Sequence, residues 1–182
     1  MRGNILSPKQ YTRLRQTRVA RVAISASTAR GRPSGTVTAA RDFLADVNLR
    51  TVADFDARRF ARKLDSLTEK CRALLPDKSE GWGFARKFLN IFLRDSLYDA
   101  HLNRTFGLSR IEPWLEVPLD GDIARALRAE PEGEALPRWK NIYGLDADTH
   151  QAFQQVASRV AGRKRAARVH LDLLYWSGMA VH

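Results

Sequence analysis

One lysine stands out for its chemistry, because it belongs to a polar strip on a helix that is otherwise apolar. Residues 81–95 predict a tight glycine-containing turn that leads into a helix, and apolar side chains cover most of its circumference. The polar strip has spacings of three and four residues: Lys87, Asn90, Arg94, Tyr98 and His101. Lysine amines serve enzymes as nucleophiles and as bases. We therefore place the chemistry of the protein at Lys87.

Asp120 is a candidate carboxylate that lies 33 positions later in the chain, on a proline-led turn. Asp120 is well placed to cap a short helix whose inner face carries Ile123 and Leu127. Glu112 and Glu116 are the alternative carboxylates if Asp120 proves structural.

His170 and Asp172 do not form a second catalytic pair in this prediction. They are two positions apart on a predicted helix, so their side chains do not face each other.

The charge of the chain points to a polyanionic partner. There are 31 Lys and Arg residues against 20 Asp and Glu residues, which gives a formal net charge of +11. Nucleic acid is the commonest partner for such a protein, and an anionic membrane surface is the alternative. Every charged residue before Asp42 is basic, a pattern also found in organelle transit peptides, although we favour DNA-backbone contact or a solvated basic face.

Several classes of protein are excluded by what the sequence lacks. No run of 18 apolar residues exists to span a bilayer, and no apolar segment follows the N-terminus as in a secretory signal. The single cysteine, Cys71, excludes an internal disulfide and a cysteine-held cluster, and the four histidines have no metal-ligand spacing. We expect a cytoplasmic monomer without a metal or cofactor.

The hydrophobic periodicity predicts an all-α fold. Ser7 and Pro8 are typical of a helix start, and Pro76 of a helix end. In the N-terminal half, the spacing predicts helices over residues 8–24, from about 37, and over 52–75 with Thr51 as the cap of this third helix. It then predicts the central helix from the 81–83 turn to about 101 and a short helix after Asp120. A last helix begins at Asp148 or Thr149, with a bend or break at Gly162.

Two of these segments together resemble the helix-hairpin-helix DNA glycosylases, the HhH-GPD superfamily. Residues 83–90, Gly-Phe-Ala-Arg-Lys-Phe-Leu-Asn, resemble the start of the second hairpin helix, and residues 117–125, Val-Pro-Leu-Asp-Gly-Asp-Ile-Ala-Arg, resemble the aspartate segment that follows it. The resemblance implies a helical bundle with a helix-hairpin-helix motif. It would divide the chain into a basic N-terminal helix and linker, 1–36, and a glycosylase-like domain, 37–182, within one globular unit.

The resemblance also assigns roles to the two candidate residues. Lys87 would attack the sugar carbon and form a Schiff base, followed by elimination of the 3′ phosphate. Asp120 would stabilise the positive charge that develops on the sugar and would deprotonate the amine. Enzymes that act on a base first take it out of the helical stack, so a base pocket and a wedge are expected.

Further residues are assigned to DNA contacts and to the base pocket. The predicted DNA-binding residues are Gly81, Gly83, Arg86, Arg94, Arg163, Lys164, Arg165 and Arg168. The candidates for the base pocket or wedge are Trp82, Asn90, Tyr98, Trp114 and Trp139.

The chain departs from the family pattern at four places. The hairpin is compact in the family, whereas extra residues separate Pro76 from Gly83 here. Ala85 stands where the second hairpin glycine is usual, and Gly121 and Asp122 replace the usual histidine after the aspartate. The separation between Lys87 and Asp120 is longer than in endonuclease III-like members and is similar to that of the archaeal 8-oxoguanine glycosylases. That similarity implies oxidised guanine as the substrate; the other candidate is a bulky phage base such as glucosylated hydroxymethylcytosine, which would imply antiviral defence.

Each assignment has an ordinary structural alternative. Lys87 could be a first-turn lysine whose stem covers the core, Asp120 a plain N-cap, and the basic cluster a solvated face. The chain would then be a non-enzymatic helical protein that binds DNA or RNA and uses the hairpin as a backbone clamp.

Overall fold

The structure, a computed structural model, describes residues 6–25, 28–29, 31–53, 56–76 and 81–177. The all-α prediction is confirmed for this part of the chain, which contains helices and no β-strand. None of the described helices is both long enough and apolar enough to cross a bilayer. The α-helices are α1 (Pro8–Ala23), α2 (Thr36–Ala45), α3 (Leu49–Ala53), α4 (Ala57–Leu74), α5 (Trp82–Tyr98), α6 (Ala100–Phe106), α7 (Gly121–Ala129), α8 (Ala147–Arg163) and α9 (Leu171–Trp176).

The first helix begins where the sequence predicts and is packed into the bundle. Ser7 and Gln10 form a capping box, and Pro8 occupies the first turn. The buried amide of Gln16 donates to three carbonyl oxygens at the end of α2, with distances of 3.4, 3.0 and 2.7 Å. The other side of α1 is joined to the start of α6 by an ion pair between Arg15 and Asp99.

The predicted long helix over 52–75 is wrong in its first part. Thr51 lies inside the short α3, and a separate helix, α4, begins at Ala57. Asp56 caps α4 by accepting a hydrogen bond of 2.8 Å from the Arg59 amide. The hydrophobic spacing continues across this break, which is why it predicts one helix.

The central helix also ends earlier than predicted. α5 stops at Tyr98, and the Asp99 carboxylate accepts hydrogen bonds from the amides of His101 and Leu102 to start α6. His101 therefore belongs to α6 rather than to the polar strip of α5. The side chain of an N-cap aspartate, not a change in hydrophobicity, makes this boundary.

The last long helix, α8, starts one to two residues before the predicted positions. Asp146 is its N-cap and accepts from the Thr149 amide at 2.7 Å. Gly162 does not interrupt the helix, which ends at Arg163; Arg165 then has a positive φ of 54°. Residues 77–80, between the predicted helix end at Pro76 and the predicted turn at Gly81, lie outside the described part.

The buried apolar residues form two clusters that meet at the start of α5. The first cluster takes side chains from α1 to α6, and the second takes side chains from residues 117–119, α7, α8 and α9. Ile142 packs against both clusters. At this boundary the α-carbon of Gly83 lies against the loop that contains Ile142 and precedes α8. A Cβ at Gly83 would be 2.4 Å from the Ile142 carbonyl oxygen.

Substitution of Gly83 by alanine should destabilise the protein. The added methyl group would push the loop away from α5, because it would collide with a backbone atom that cannot rotate aside. We expect a loss of about 1–3 kcal/mol in the free energy of unfolding, measured by urea denaturation. Gly162→Ala is the matched control: a Cβ there meets nothing within 4 Å. It should stabilise the helix by about 0.5 kcal/mol, and equal effects of the two changes would contradict this packing argument.

Candidate functional site

The expected contact between Lys87 and Asp120 is present. The Lys87 Nζ atom lies 3.3 Å from Asp120 Oδ2, and the two side chains are 15% and 36% exposed. Lys87 comes from α5 in the first apolar cluster, and Asp120 precedes α7 in the second. The pair thus bridges the boundary between the clusters and is accessible from solvent.

The helix cap fixes one oxygen of Asp120 and leaves the other to the lysine. Asp120 Oδ1 accepts hydrogen bonds of 3.1 Å from the amides of Asp122 and Ile123. Oδ2 faces the ammonium group of Lys87. The carboxylate therefore both starts α7 and holds a fixed negative charge beside the amine.

The segment before Asp120 is clamped to α8 by Gln154, a residue that the sequence did not single out. The buried Gln154 amide accepts from the Val117 N–H at 3.1 Å and donates to the Val117 carbonyl at 2.8 Å. Because Val117 and Leu119 are also buried, the chain enters the Asp120 turn in a fixed direction.

Trp139 lies close to the turn that carries Asp120. A Cβ added at Gly121 would be 3.7 Å from the Trp139 Nε1 atom. The Trp139 ring is half-buried and packs edge-on against Phe153, with 5.7 Å between ring centroids. Among the predicted pocket residues, Trp139 is thus placed near the Lys87–Asp120 pair.

A buried ionic network lies beside this pair and is centred on Arg86. The Arg86 guanidinium is 5% exposed and donates to both Glu116 carboxylate oxygens, at 2.8 and 2.9 Å. It also donates to Asp65 at 2.8 Å and to the Thr68 hydroxyl at 3.0 Å. The prediction that Arg86 contacts DNA is therefore wrong, since its donors are committed inside the protein.

Asn90 belongs to the same network. Its amide donates to Glu116 Oε2 at 2.9 Å, and the residue is 2% exposed. Glu116, an alternative catalytic carboxylate in the sequence analysis, is thus held by Arg86 and Asn90. The Glu116 carboxylate therefore accepts hydrogen bonds from Arg86 and Asn90 rather than from Lys87.

Burial and charge act in opposite directions on Glu116 and His150. Burial would raise the pKa of Glu116, but the charges of His150 and Arg86 outweigh it and lower that pKa to about 2. Burial lowers the pKa of His150 to about 4, although Glu116 opposes the change. At neutral pH the His150 ring is therefore uncharged, and Arg86 is the cation that compensates Glu116.

The network forms one wall of a cavity of about 890 Å³ between α4 and α8. Trp82, Arg86, Glu116 and His150 line it, whereas Lys87 and Asp120 do not. The Trp82 ring packs edge-on against the His150 ring with 5.4 Å between centroids. Trp82 is thus part of a cavity wall, as the prediction of a pocket or wedge residue allows.

Arg94 and Tyr98, in the C-terminal half of α5, connect the predicted polar strip to the C-terminal region. Arg94 forms ion pairs with Asp95 and Asp172. The Tyr98 hydroxyl lies 2.7 Å from His170 Nδ1. Two carboxylates occupy the Arg94 guanidinium, and its contact with DNA stays a prediction.

The carboxylate partner of His170 is Glu112, with a distance of 2.7 Å from His170 Nε2. His170 and Asp172 therefore have different partners, in line with the prediction that they form no dyad. Trp114 is half-buried and its ring centroid lies 6.2 Å from that of Phe60, so it packs on the first cluster.

Three of the four residues of the predicted basic cluster at the end of α8 have partners within the protein. Arg163 pairs with Glu130 and Glu132, and Lys164 lies 3.3 Å from Glu130. Arg168 donates to the carbonyls of residues 114 and 115 at 2.8 and 3.0 Å. Their assignment as free phosphate contacts is corrected for this reason.

Arg165 differs from the rest of this cluster, because it is exposed and has no ion pair within the described part of the chain. The two glycines of the predicted hairpin, Gly81 and Gly83, are both buried. Gly83 is closed off by the loop at Ile142. The loop thus covers the α-carbon of Gly83, and the contact of the two glycines with DNA stays a prediction.

No family model, curated protein or solved structure matches the chain. The function must therefore be argued from the site itself.

The stability of the protein should fall as the pH falls from about 6.5 to 4. The unfolded chain takes up a proton at His150 near its ordinary pKa of about 6.5, whereas the folded chain does so only near 4. Protonation thus favours the unfolded state by up to about 3 kcal/mol across this range. Glu116 acts in the same direction. The stability that comes from its lowered pKa is lost as the pH falls from the ordinary pKa of a glutamate through about 2.

Urea denaturation of the wild type and of His150→Gln across this pH range measures the effect. The wild type should lose more stability than the variant between pH 6.5 and 4. His101→Gln controls for removal of a titratable ring from another helix. A difference between wild type and His150→Gln that stays constant with pH would refute the assignment.

Proposed function

We propose that the protein is a DNA glycosylase of the HhH-GPD type that excises a modified base and cleaves the strand through a lysine Schiff base. The observation that carries this proposal is the 3.3 Å contact between Lys87 and Asp120, two residues 33 positions apart. A partly exposed amine next to a fixed carboxylate is the pair that this chemistry requires.

The chemistry uses each group in turn. Asp120 Oδ2 takes a proton from the Lys87 ammonium group, and the same carboxylate lies near the positive charge that develops on the sugar. The amine forms a bond to the sugar C1′ as the bond to the base breaks, and the base leaves with its electron pair and takes up the proton held by Asp120, which restores the carboxylate. The new C1′–N group then loses its protons, one of them to O4′, as the C1′–O4′ bond breaks; the sugar ring opens and the C1′=N Schiff base forms. Loss of a proton from C2′ of the resulting Schiff base then expels the 3′ phosphate.

The arrangement of the helices supports the same proposal. α4 and α5 are consecutive, pack against each other, and precede a short helix capped by an aspartate. The pair lies where two apolar clusters meet, and ligand sites are common at such boundaries. The net charge of +11 favours a nucleic-acid partner.

The substrate class has two candidates, oxidised guanine and a hypermodified phage base such as glucosylated hydroxymethylcytosine. They differ greatly in size, so base release from the corresponding DNAs distinguishes repair from antiviral defence. Mass spectrometry of bases released from oxidised DNA and from modified phage DNA is the direct measurement.

A non-enzymatic DNA-binding protein is the alternative function. It is favoured by one observation: the cavity of about 890 Å³ is lined by neither Lys87 nor Asp120. In that case the pair would be a structural ion pair at a helix cap. Such a protein would bind DNA in a salt-sensitive manner without strand scission on any modified duplex.

Lys87→Gln should abolish covalent trapping. With borohydride and a duplex that contains the excised base, the wild type should form a reduced protein–DNA adduct, because the Schiff base joins Lys87 to the sugar. Lys70→Gln, which removes an exposed lysine from α4, is the matched control and should trap normally. An adduct that persists in Lys87→Gln would assign the nucleophile to another amine.

Asp120→Asn should slow base release by about 10²–10⁴-fold, because the fixed charge and the proton acceptor are both removed. The remaining amide oxygen can still cap α7, so the expected loss of stability is at most about 1 kcal/mol. Single-turnover kinetics of base release measure the rate, and Asp122→Asn, at the exposed Asp122–Arg125 pair, is the control. An unchanged rate in Asp120→Asn would remove this carboxylate from the mechanism.

A further inference from the structure

Three arginines line a pocket of about 350 Å³ on the first apolar cluster, separate from the Lys87–Asp120 pair. Arg50 comes from α3, Arg104 from the last turn of α6, and Arg110 from the 3-10 turn that follows. Thr105, Phe106 and Gly107 complete the lining. The pocket thus collects three guanidinium groups from three separate elements.

Two of the three arginines are exposed side chains that contact the turn at the end of α6. The Nε atom of Arg110 donates to the Gly107 carbonyl at 3.3 Å. The guanidinium carbon of Arg50 lies 6.0 Å from the centroid of the Phe106 ring. Each contact restricts the side chain in part, which reduces the conformational entropy that is lost when a ligand binds.

Gly107 is the residue that permits the approach of Arg110. It has a φ of +67°, and a Cβ there would lie 3.0 Å from both Nε and Nη2 of Arg110. Glycine thus satisfies the left-handed backbone and leaves room for the guanidinium.

The pocket is positively charged without internal compensation. None of its three arginines forms an ion pair with a carboxylate in the described part of the chain, whereas Arg13, Arg15, Arg94 and Arg163 all do. Like charges around one small pocket repel each other, and an anion that enters the pocket relieves this repulsion.

We propose that Arg50, Arg104 and Arg110 form a phosphate-binding site. Guanidinium groups bind phosphate oxygens through two parallel hydrogen bonds, and the Thr105 hydroxyl offers one more donor. The phosphate could belong to a nucleic-acid backbone or to a small phosphorylated molecule, since the pocket recognises the same group in both. The proposal does not depend on the chemistry of Lys87.

The test compares two triple variants that remove the same charge. Arg50→Gln/Arg104→Gln/Arg110→Gln removes the pocket, and Arg58→Gln/Arg62→Gln/Lys70→Gln removes three exposed charges from α4. Both are made in the Lys87→Gln background, so that binding is measured without strand cleavage. Thermal melting checks that each variant folds, and Arg104→Gln alone serves if the pocket variant does not.

Two ligands identify the source of the phosphate. Binding of a short DNA duplex is measured as a function of salt, and inorganic phosphate is titrated while the arginine side-chain N–H resonances are followed by NMR. We expect the pocket variant to bind DNA about tenfold or more weakly, with a salt slope that is smaller by about one unit for each phosphate that it no longer binds. The α4 variant should change little, and inorganic phosphate should shift the pocket arginine resonances of the parent protein.

The outcomes separate the possibilities. Phosphate-induced shifts together with weakened DNA binding assign the site to the nucleic-acid backbone. Shifts with unchanged DNA binding assign it to a small phosphorylated ligand. Equal DNA binding by the two triple variants, with no shift by phosphate, overturns the site, whereas failure of borohydride trapping at Lys87 leaves this result unaffected.

Discussion

A guanidinium group inside an apolar bundle has to be neutralised, and the rest of this structure is arranged around the way Arg86 meets that requirement. Arg86 binds the carboxylate of Glu116 with two hydrogen bonds and also contacts Asp65 on α4. Removal of one partner from such a buried pair leaves an uncompensated charge, which is strongly unfavourable. The contact therefore fixes α5 against α4 and against the segment that leads to Asp120.

This constraint also determines where Lys87 points. Successive residues of a helix are separated by about 100°, so the anchored Arg86 side chain sets the direction of its neighbour. Glu116 lies four residues before Asp120, and Gln154 holds the intervening Val117 at both its amide and its carbonyl. The amine and the carboxylate meet because both are attached to one rigid network.

The parts that could be predicted from the sequence depend on local signals. The all-α class follows from hydrophobic spacing, the start of α1 from Ser7 and Pro8, and the helix after Asp120 from its capping carboxylate. The contact of Lys87 with Asp120 was expected from a resemblance in the order of two motifs. Its geometry fits that expectation, and the catalytic roles of both residues stay a prediction.

The parts that could not be predicted depend on partners distant in the chain. Arginine is a common DNA-binding residue type, which is why the sequence assigns Arg86 and Arg163 to DNA. In the structure Glu116 neutralises Arg86, and Glu130 and Glu132 neutralise Arg163. Asp56 and Asp99 start helices inside stretches whose apolar spacing is continuous. His150 and Gln154 share a helix face at a spacing of four, a signal that could have indicated a buried polar pair.

The attachment of α1 has a consequence for the order of folding during synthesis. The helix emerges from the ribosome before the other described helices, yet Arg15 pairs with Asp99 and Thr12 contacts His101, residues that are made much later. Contacts at such long sequence separation slow folding, because a large loop must close before they form. The nascent N-terminal helix can pack on α2 through Gln16 as soon as that helix has emerged, but its docking is complete only after α5 and α6 have been made.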